Sequence, residues 1–195
     1  MARPRKDSPE PSARERLIEA FWALLEERPY AQITLSDVAR AAGVRRNTFY
    51  YHYANVSDLA EDALRGYIPV ALQGIGALRA GRLDQHLSML FASDPHNLLA
   101  RRMTLIAGPH GTMELIGVVK GIVWELWIDM LGIDESKRPL FEFVIGGLLS
   151  SASYLMTLAP EERQRIVQDK TLQDVLAGIW EKILPEGLPD PFSAS

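Results

Sequence analysis

The stretch that decides the fold is AGVRRNTFYYHY, Ala42 to Tyr53. It holds two arginines, an asparagine, a threonine, three tyrosines and a histidine, but only one glycine. No carboxylate occurs between Val38 and Asp58. A solvated helix face normally mixes acidic with basic side chains. A surface without acids, rich in arginine and amide donors, suits phosphates and base edges, so this segment indicates contact with nucleic acid.

The residues around this stretch predict two short helices joined by a tight turn. Thr34, with Asp37 three positions later, is typical of a capping box that begins a helix. Gly43 is suited to the left-handed conformation that ends this helix. The second helix is predicted at about Arg46 to His52. A short helix, a turn with glycine and a second short helix together describe a helix-turn-helix.

The second helix is predicted to have one inward and one outward face. Val44 and Phe49 are the apolar residues expected to face inward, and Tyr53 closes the end of the helix. The outward side chains are Arg45, Arg46, Asn47, Thr48, Tyr50, Tyr51 and His52. Arginine pairs with guanine and asparagine with adenine through two hydrogen bonds, while a threonine methyl or tyrosine ring rests on a thymine methyl. This set is therefore the candidate DNA-binding site.

The rest of the chain has the periodicity of helices, and no strand pattern stands out, so the predicted fold class is all-α. The predicted helices run from Ser12 to Pro29, from Asn55 through Tyr67 with a kink at Pro69, from Asp94 and Pro95, from Thr112 to Leu131, from Pro139 to Leu158, and from Thr171 onward. The fourth of these is apolar nearly all round, which predicts a central helix surrounded by others.

Composition narrows the class of protein. The chain has 195 residues, is 47% apolar and lacks cysteine, which excludes disulfides and thiolate zinc sites. Its net charge of -4 is uneven, because residues 1–53 carry nine Lys/Arg against seven Asp/Glu while residues 54–195 carry 12 against 18. The N-terminal sequence MARPRKDSPEP does not resemble a secretory signal. We expect a cytoplasmic protein whose basic part contains the opening stretch.

One segment, Pro139 to Leu158, is long and apolar enough to be tested as a membrane span. It carries Glu142 together with glycines and serines, and no second segment of equal quality exists. A buried helix is therefore the preferred interpretation, and no membrane partner is expected.

The segment RERLIEAFWALLEERPYAQITLSDVARAAGVRRNTFYYHYANVSDL, Arg14 to Leu59, resembles the N-terminal domain of the TetR family of bacterial transcriptional regulators. The resemblance covers about a quarter of the chain. It implies a homodimer whose two recognition helices enter successive major grooves of an inverted-repeat DNA operator. It also implies a C-terminal helical domain that binds a small-molecule effector and dimerises. The implied division is a disordered basic arm at 1–11, a DNA-binding domain at 12–58 and a regulatory domain at 59–195.

The resemblance assigns roles within the DNA-binding domain. Thr34 and Tyr50 look like residues that position the DNA backbone, and the implied base-reading set is Arg46, Asn47, Thr48, Tyr51 and His52. The family usually has a lysine where this chain has Val56, which removes one phosphate contact. Arg45 stands where the family often has a small polar residue, and its charge is able to replace that of the lysine. Arg28 and Pro29 replace the family's common glycine at the end of the first helix.

The C-terminal part offers a ligand pocket and a dimer interface. The candidate pocket residues are Phe91, Met103, Trp124 and Trp127, for each of which core packing is the default interpretation. The candidate dimer residues are Phe143, Gly147, Ser151, Tyr154, Leu176, Ile179 and Trp180, with packing inside one subunit as the alternative.

No catalytic constellation is convincing, and the histidines His86, His96 and His110 lack the spacing of metal ligands, so no cofactor or metal is expected. The predicted function is a sequence-specific DNA-binding regulator, a ligand-responsive repressor. Two alternatives stay open. One is an activator or nucleoid-associated protein with the same DNA-binding domain. The other is a helical small-molecule-binding protein or enzyme whose helix-turn-helix has lost DNA reading.

Overall fold

The computed structural model describes residues 11–66, 98–132, 134–171, 174, 175 and 178. Every regular element in these residues is helical, which confirms the all-α prediction for the described part of the chain. The α-helices are α1 (Ala13–Glu27), α2 (Leu35–Ala41), α3 (Arg46–His52), α4 (Val56–Arg65), α5 (Leu98–Ala107), α6 (Met113–Leu131), α7 (Arg138–Thr157) and α8 (Pro160–Val167). Two 3-10 turns, Tyr30–Gln32 and Glu135–Lys137, precede α2 and α7.

Side-chain caps explain where the N-terminal helices begin. The Oγ1 of Thr34 accepts a hydrogen bond from the Asp37 N–H at 3.3 Å, and the Asp37 carboxylate accepts one from the Thr34 N–H at 3.3 Å. Ser12 and Glu15 form the same capping box at the start of α1. The Oδ1 of Asn55 accepts from the Asp58 N–H at 3.0 Å at the start of α4. The predicted starts of α1, α2 and α4 are thus confirmed, because these caps satisfy backbone donors that have no partner within the helix.

Left-handed glycines end two helices at the predicted places. Gly43 has a φ of 64° after α2, and Gly132 has a φ of 61° after α6. Glycine tolerates this region because it has no Cβ. The turn at Gly43 brings the chain directly into α3, whose bounds agree with the predicted helix.

The head, helices α1 to α3, and the body, helices α5 to α8, share one continuous apolar cluster. In the head α2 and α3 pack on α1, and α4 packs on both α1 and α6. In the body α6 contacts α5 and α7. The cluster runs from Leu17 on α1, through Leu59 on α4, to Ile122 on α6 and Ile145 on α7. Helix α6 is central, as predicted, although Met113 and Ile128 remain exposed.

The prediction that α7 is a buried helix is wrong for one of its faces. Phe141, Val144 and Leu155 are buried against the body, whereas Phe143 and Tyr154 on the opposite side are 75% and 61% exposed. Apolar residues recur on both sides of this helix, and the described residues contain a partner for one side only. A uniformly apolar sequence therefore does not distinguish a surrounded helix from one with a free apolar face.

Among the described residues, Glu135–Thr157 meets the length and composition of a membrane span. One such helix is weak evidence for a membrane, because a core helix of a soluble protein meets the same criteria. Its Glu142 accepts from Lys120 Nζ on α6 at 2.8 Å and from Arg138 Nε at 3.0 Å.

Several predicted features lie outside the described residues. They are most of the basic arm, the continuation of α4 with its kink at Pro69, the helix start at Asp94, the pocket residue Phe91, and the dimer residues Leu176, Ile179 and Trp180. Within the last predicted helix, Thr171, Asp174 and Val175 are helical.

Candidate nucleic-acid interface

Helix α3 is anchored to the head by two aromatic side chains. Phe49 is fully buried, and Tyr53 at the end of the helix is buried beside it, with 5.8 Å between the ring centroids. Val44, just before the helix, is half-buried against the same cluster. This inner face agrees with the prediction, and it fixes which side of α3 is turned outward.

The outward side of α3 carries the predicted DNA-binding residues. Tyr51 is 85% exposed and Tyr50 is 61% exposed. Exposure is also high at Arg45, Arg46 and Asn47, while Thr48 and His52 are half-buried. All seven are therefore accessible together on one short helix. Whether they contact DNA stays a prediction.

One member of this set is held by a residue that sequence reasoning missed. The Nη2 of Arg46, the first residue of α3, donates a 2.6 Å hydrogen bond to the Oγ of Ser36, in the first turn of α2. The two residues are ten positions apart across the turn, a separation that carries no periodic signal.

The C-terminal end of α3 is tied to α4 and α1 through Asp62. The Asp62 Oδ2 accepts from the Tyr53 hydroxyl at 2.6 Å and from Arg14 Nε at 2.8 Å. Burial raises the pKa of Asp62, but the hydrogen bonds from Arg14 and Tyr53 outweigh burial and hold the pKa below its ordinary value. Burial, followed by the bond to Asp62, raises the pKa of the Tyr53 phenol. Sequence patterns gave no sign of this cluster, whose members come from three helices.

The one carboxylate of α2 is neutralised by its neighbours. The Asp37 carboxylate accepts from the Thr34 hydroxyl at 2.6 Å, and this bond is the main reason why the pKa of Asp37 is lowered. The guanidinium groups of Arg40 and Arg28 lie 3.3 and 3.9 Å from it. The surface around Thr34 therefore keeps its positive character even though it includes an acid.

The N-cap of α3 breaks the usual helix rule. Arg45 occupies the position, and it makes no side-chain hydrogen bond to the helix. Serine, threonine, aspartate and asparagine are preferred there because their oxygens accept from the free N–H groups of the first turn. A local rule broken without a compensating contact is typical of a functional position.

Unlike Arg45, Val56 has an apolar side chain. It is half-buried and packs against the apolar cluster, at the place where the resemblance expects a lysine. It adds no charge to the surface.

Comparisons with known proteins give a match for the head. Residues 17–63 match the family model for bacterial regulatory proteins, tetR family. This segment is thus similar to the helix-turn-helix domain of that family. This chain is 45% identical over 53 residues to the uncharacterized HTH-type transcriptional regulator YxbF of Bacillus subtilis, covering 27% of this chain and 14% of that protein. It is 32% identical over 57 residues to the HTH-type transcriptional repressor KstR2 of Mycobacterium tuberculosis, covering 29% of this chain and 28% of that protein.

The matched segment thus spans less than a third of the length of either curated relative. A solved structure, the TetR family repressor AlkX from Dietzia sp. strain DQ12-45-1b, is 22% identical, with a TM-score of 0.43 and coverage of 93% of this chain and 100% of that one.

Helix α4 joins the head to the body. The Arg65 Nη2 donates to Glu125 on α6 at 2.5 Å and to Glu61 on its own helix at 2.6 Å. Asp62, which holds Tyr53, lies three residues before Arg65. One turn of α4 therefore contacts both the end of α3 and the central helix of the body.

A second connection joins α1 to α5. Arg102 is 3% exposed, lies over the Trp22 ring at 4.6 Å and donates to Glu19 at 2.9 Å. Its neighbour Arg101 is exposed and donates to Glu26 at 2.6 Å.

The loop between α5 and α6 makes a third connection. The backbone N–H of Tyr30 donates to the carbonyl of His110 at 3.0 Å, and the His110 Nδ1 donates to the Leu25 carbonyl at 2.7 Å. The head thus contacts the body at three places.

The predicted pocket residues within the described chain lie in the body. Trp124 and Trp127 are buried, and each ring centroid lies 4.9 Å from that of Phe141. Met103 is half-buried against the same cluster. Their observed contacts are those of core packing, and a ligand role stays a prediction.

Four of the predicted dimer residues share the exposed side of α7. Phe143, Gly147, Ser151 and Tyr154 follow each other at intervals of three or four residues and are all exposed. In the described residues no group of three or more acidic, histidine or cysteine side chains is placed to hold a metal ion.

Proposed function

We propose that the protein is a homodimeric transcriptional regulator that recognises a specific DNA sequence through α3 of each copy. The observation that carries the proposal is the acid-free outer face of α3, held rigidly by the buried rings of Phe49 and Tyr53. A solvated helix with no binding role has no reason to exclude carboxylates from such a surface. The TetR-family match of the same residues supports this function.

The chemistry of the exposed side chains suits double-stranded DNA. Arg46 and Asn47 are suited to paired hydrogen bonds with base edges, and Tyr51 is suited to a thymine methyl. Thr34, Tyr50 and Arg45 are the candidates for phosphate contacts, which fix the register of the protein without reading sequence. His52 and Thr48 complete the proposed reading surface.

A dimer would read an inverted repeat. Two copies of α3 related by a two-fold axis fit half-sites about 10 base pairs, or about 34 Å, apart. The exposed apolar side of α7 supports self-association, because Phe143 and Tyr154 are otherwise left in water.

We propose further that the regulator is a cytoplasmic repressor released from DNA by a small molecule bound in the body. KstR2 is named a transcriptional repressor, and we propose the same negative regulation of transcription for the present chain. Ligand binding would shift α4, because Arg65 contacts the body and Asp62 contacts the recognition helix within one turn. A shift of α4 would change the spacing of the two heads.

The test is selection of bound duplexes from a random DNA pool by the purified full-length protein, repeated with Tyr51→Ala. We expect an inverted repeat that the variant no longer selects, with a loss of about 1 to 3 kcal/mol at the selected site. Met113→Ala is the control, since it removes an exposed side chain outside both the head and the proposed dimer interface. It should leave the selected half-site sequence unchanged.

If the wild-type protein selects no sequence, both as purified and after refolding to remove any bound ligand, DNA reading is refuted. The helical ligand-binding or enzymatic function then takes its place. If a repeat is selected, transcription from a promoter containing it should fall when the protein is supplied. A rise would make the protein an activator.

A further inference from the structure

We propose that Ser36 is a positioning residue that sets the base preference of Arg46, without itself needing to touch a base. The inference rests on the proposed function and adds to it a specificity determinant on α2, outside the recognition helix. It is carried by the 2.6 Å hydrogen bond from Arg46 Nη2 to Ser36 Oγ.

Both ends of this hydrogen bond are attached to well-fixed backbone. Ser36 lies in the first turn of α2, whose start is fixed by the Thr34 capping box and whose Val38 is fully buried. Arg46 begins α3, which is anchored by the fully buried Phe49. The hydroxyl is therefore a stationary acceptor, and it restricts the guanidinium to one orientation at the edge of the recognition surface.

The surroundings leave Ser36 as the residue that directs Arg46. Within the described residues no carboxylate oxygen lies within ion-pair distance of the Arg46 guanidinium. The nearest acid in sequence, Asp37, is already bound by Thr34 and flanked by Arg28 and Arg40. A neutral hydroxyl holds the arginine without cancelling its charge, so the attraction to DNA is kept.

Orientation matters because paired recognition of a guanine requires the guanidinium plane to face the base edge. A free arginine side chain loses conformational entropy when it is ordered on binding, and a pre-organised one loses less. Only one N–H of Arg46 is used by Ser36, and arginine has several. The remaining donors are left for the base.

Ser36 is not required for the fold. It is half-buried, the capping of α2 is carried by Thr34 and Asp37, and alanine is a better helix former than serine. Ser36→Ala should therefore fold normally, whereas Ser36→Thr keeps a hydroxyl at the same place.

The experiment is duplex selection with the full-length wild type, Ser36→Ala, Ser36→Thr, Arg46→Ala and the Ser36→Ala/Arg46→Ala double variant. We expect Ser36→Ala and Arg46→Ala to lose preference at the same base pair of each half-site, and Ser36→Thr to keep it. Affinity of Ser36→Ala for the selected duplex should fall about threefold to tenfold, with affinity for random DNA unchanged. The double variant should bind no more weakly than Arg46→Ala.

An unchanged preference at that base pair in Ser36→Ala overturns the inference. So does an equal loss on all sequences, which means that Ser36 contacts phosphate directly. If the wild type selects no sequence, the proposed function fails, and the Arg46 side chain is then measured without DNA. Nitrogen-15 relaxation of the Arg46 Nε should report a more mobile side chain in Ser36→Ala than in the wild type, and equal mobility overturns the inference.

Discussion

The hydroxyl of Tyr53 donates a 2.6 Å hydrogen bond to the Oδ2 of Asp62, and this bond ties the end of the recognition helix to α4. Arg14 at the start of α1 donates to the same carboxylate. The orientation of α3 on the head therefore depends on an ionised side chain, which makes it sensitive to acid.

Asp62→Asn tests this dependence. The folded-state pKa of Asp62 lies below its ordinary value of 3.8, so the ionised form favours folding. Its contribution is present above pH 3.8 and is lost as the pH falls through the lower folded-state pKa. We expect the variant to lower the free energy of unfolding by about 1 kcal/mol at pH 7, and by nothing measurable at an acidic pH where Asp62 is protonated in the folded protein as well. Urea unfolding at both pH values measures this, with Glu61→Gln as a control that has little effect at either.

Arg45→Ser should separate stability from DNA binding. Serine supplies the oxygen that the first turn of α3 lacks, so the free energy of unfolding should rise by about 1 kcal/mol. Removal of the charge should weaken DNA binding and reduce the slope of log affinity against log salt by about 1. Thermal unfolding and binding titrations at several salt concentrations measure the two effects. A stabilised variant with an unchanged salt slope would show that Arg45 does not contact phosphate.

The adjacent arginines of α5 form a matched pair for measuring the contact between head and body. Both donate to a glutamate of α1, but Arg102 is buried over Trp22 whereas Arg101 is exposed. Arg102→Ala should lower the free energy of unfolding by about 2 kcal/mol, because packing and the cation–π contact are lost. Arg101→Ala should cost less than about 1 kcal/mol. Equal losses in chemical denaturation would contradict the buried contact.

Phe143→Arg should convert a dimer to a monomer. The side chain is 75% exposed in the single chain, so the substitution leaves the monomer fold intact, yet it introduces charge into the proposed interface. Sedimentation velocity at micromolar concentration should give half the wild-type mass. Met113→Arg is the control, since Met113 is 79% exposed at the first residue of α6 and is not among the predicted dimer residues. A dimeric Phe143→Arg protein would place the interface elsewhere.

The head was predictable because its signals are local. Thr34 and Asn55 each form a cap hydrogen bond with a residue three positions away, and the turn at Gly43 depends on the φ value of that one residue. Short sequence patterns are therefore sufficient to predict these features. The inward role of Phe49 follows from the spacing of apolar residues around it. The exposed residues of α3 are then those that do not face inward.

The connections between helices were not predictable in the same way. Arg102 donates a hydrogen bond to Glu19, 83 positions away in the sequence, and Arg65 donates one to Glu125, 60 positions away. Many exposed acids and bases could pair in such a chain, and only the packing of α1, α4, α5 and α6 selects these. Helix α7 is apolar on both sides, and this pattern alone does not say which side meets a neighbour from the same chain. The side that carries Phe143 and Tyr154, predicted for dimer contact, is the exposed one.

The apolar cluster that runs from Leu17 on α1 to Ile145 on α7 has a consequence for cooperativity. Because the described residues of head and body share this one cluster, loosening of the body exposes residues that also support α3. Head and body should melt in one transition, and the slowest-exchanging backbone amides of α1 and α6 should open with similar free energies. Mutations that destabilise the body should then weaken DNA binding indirectly, although they lie far from the surface proposed to read the bases.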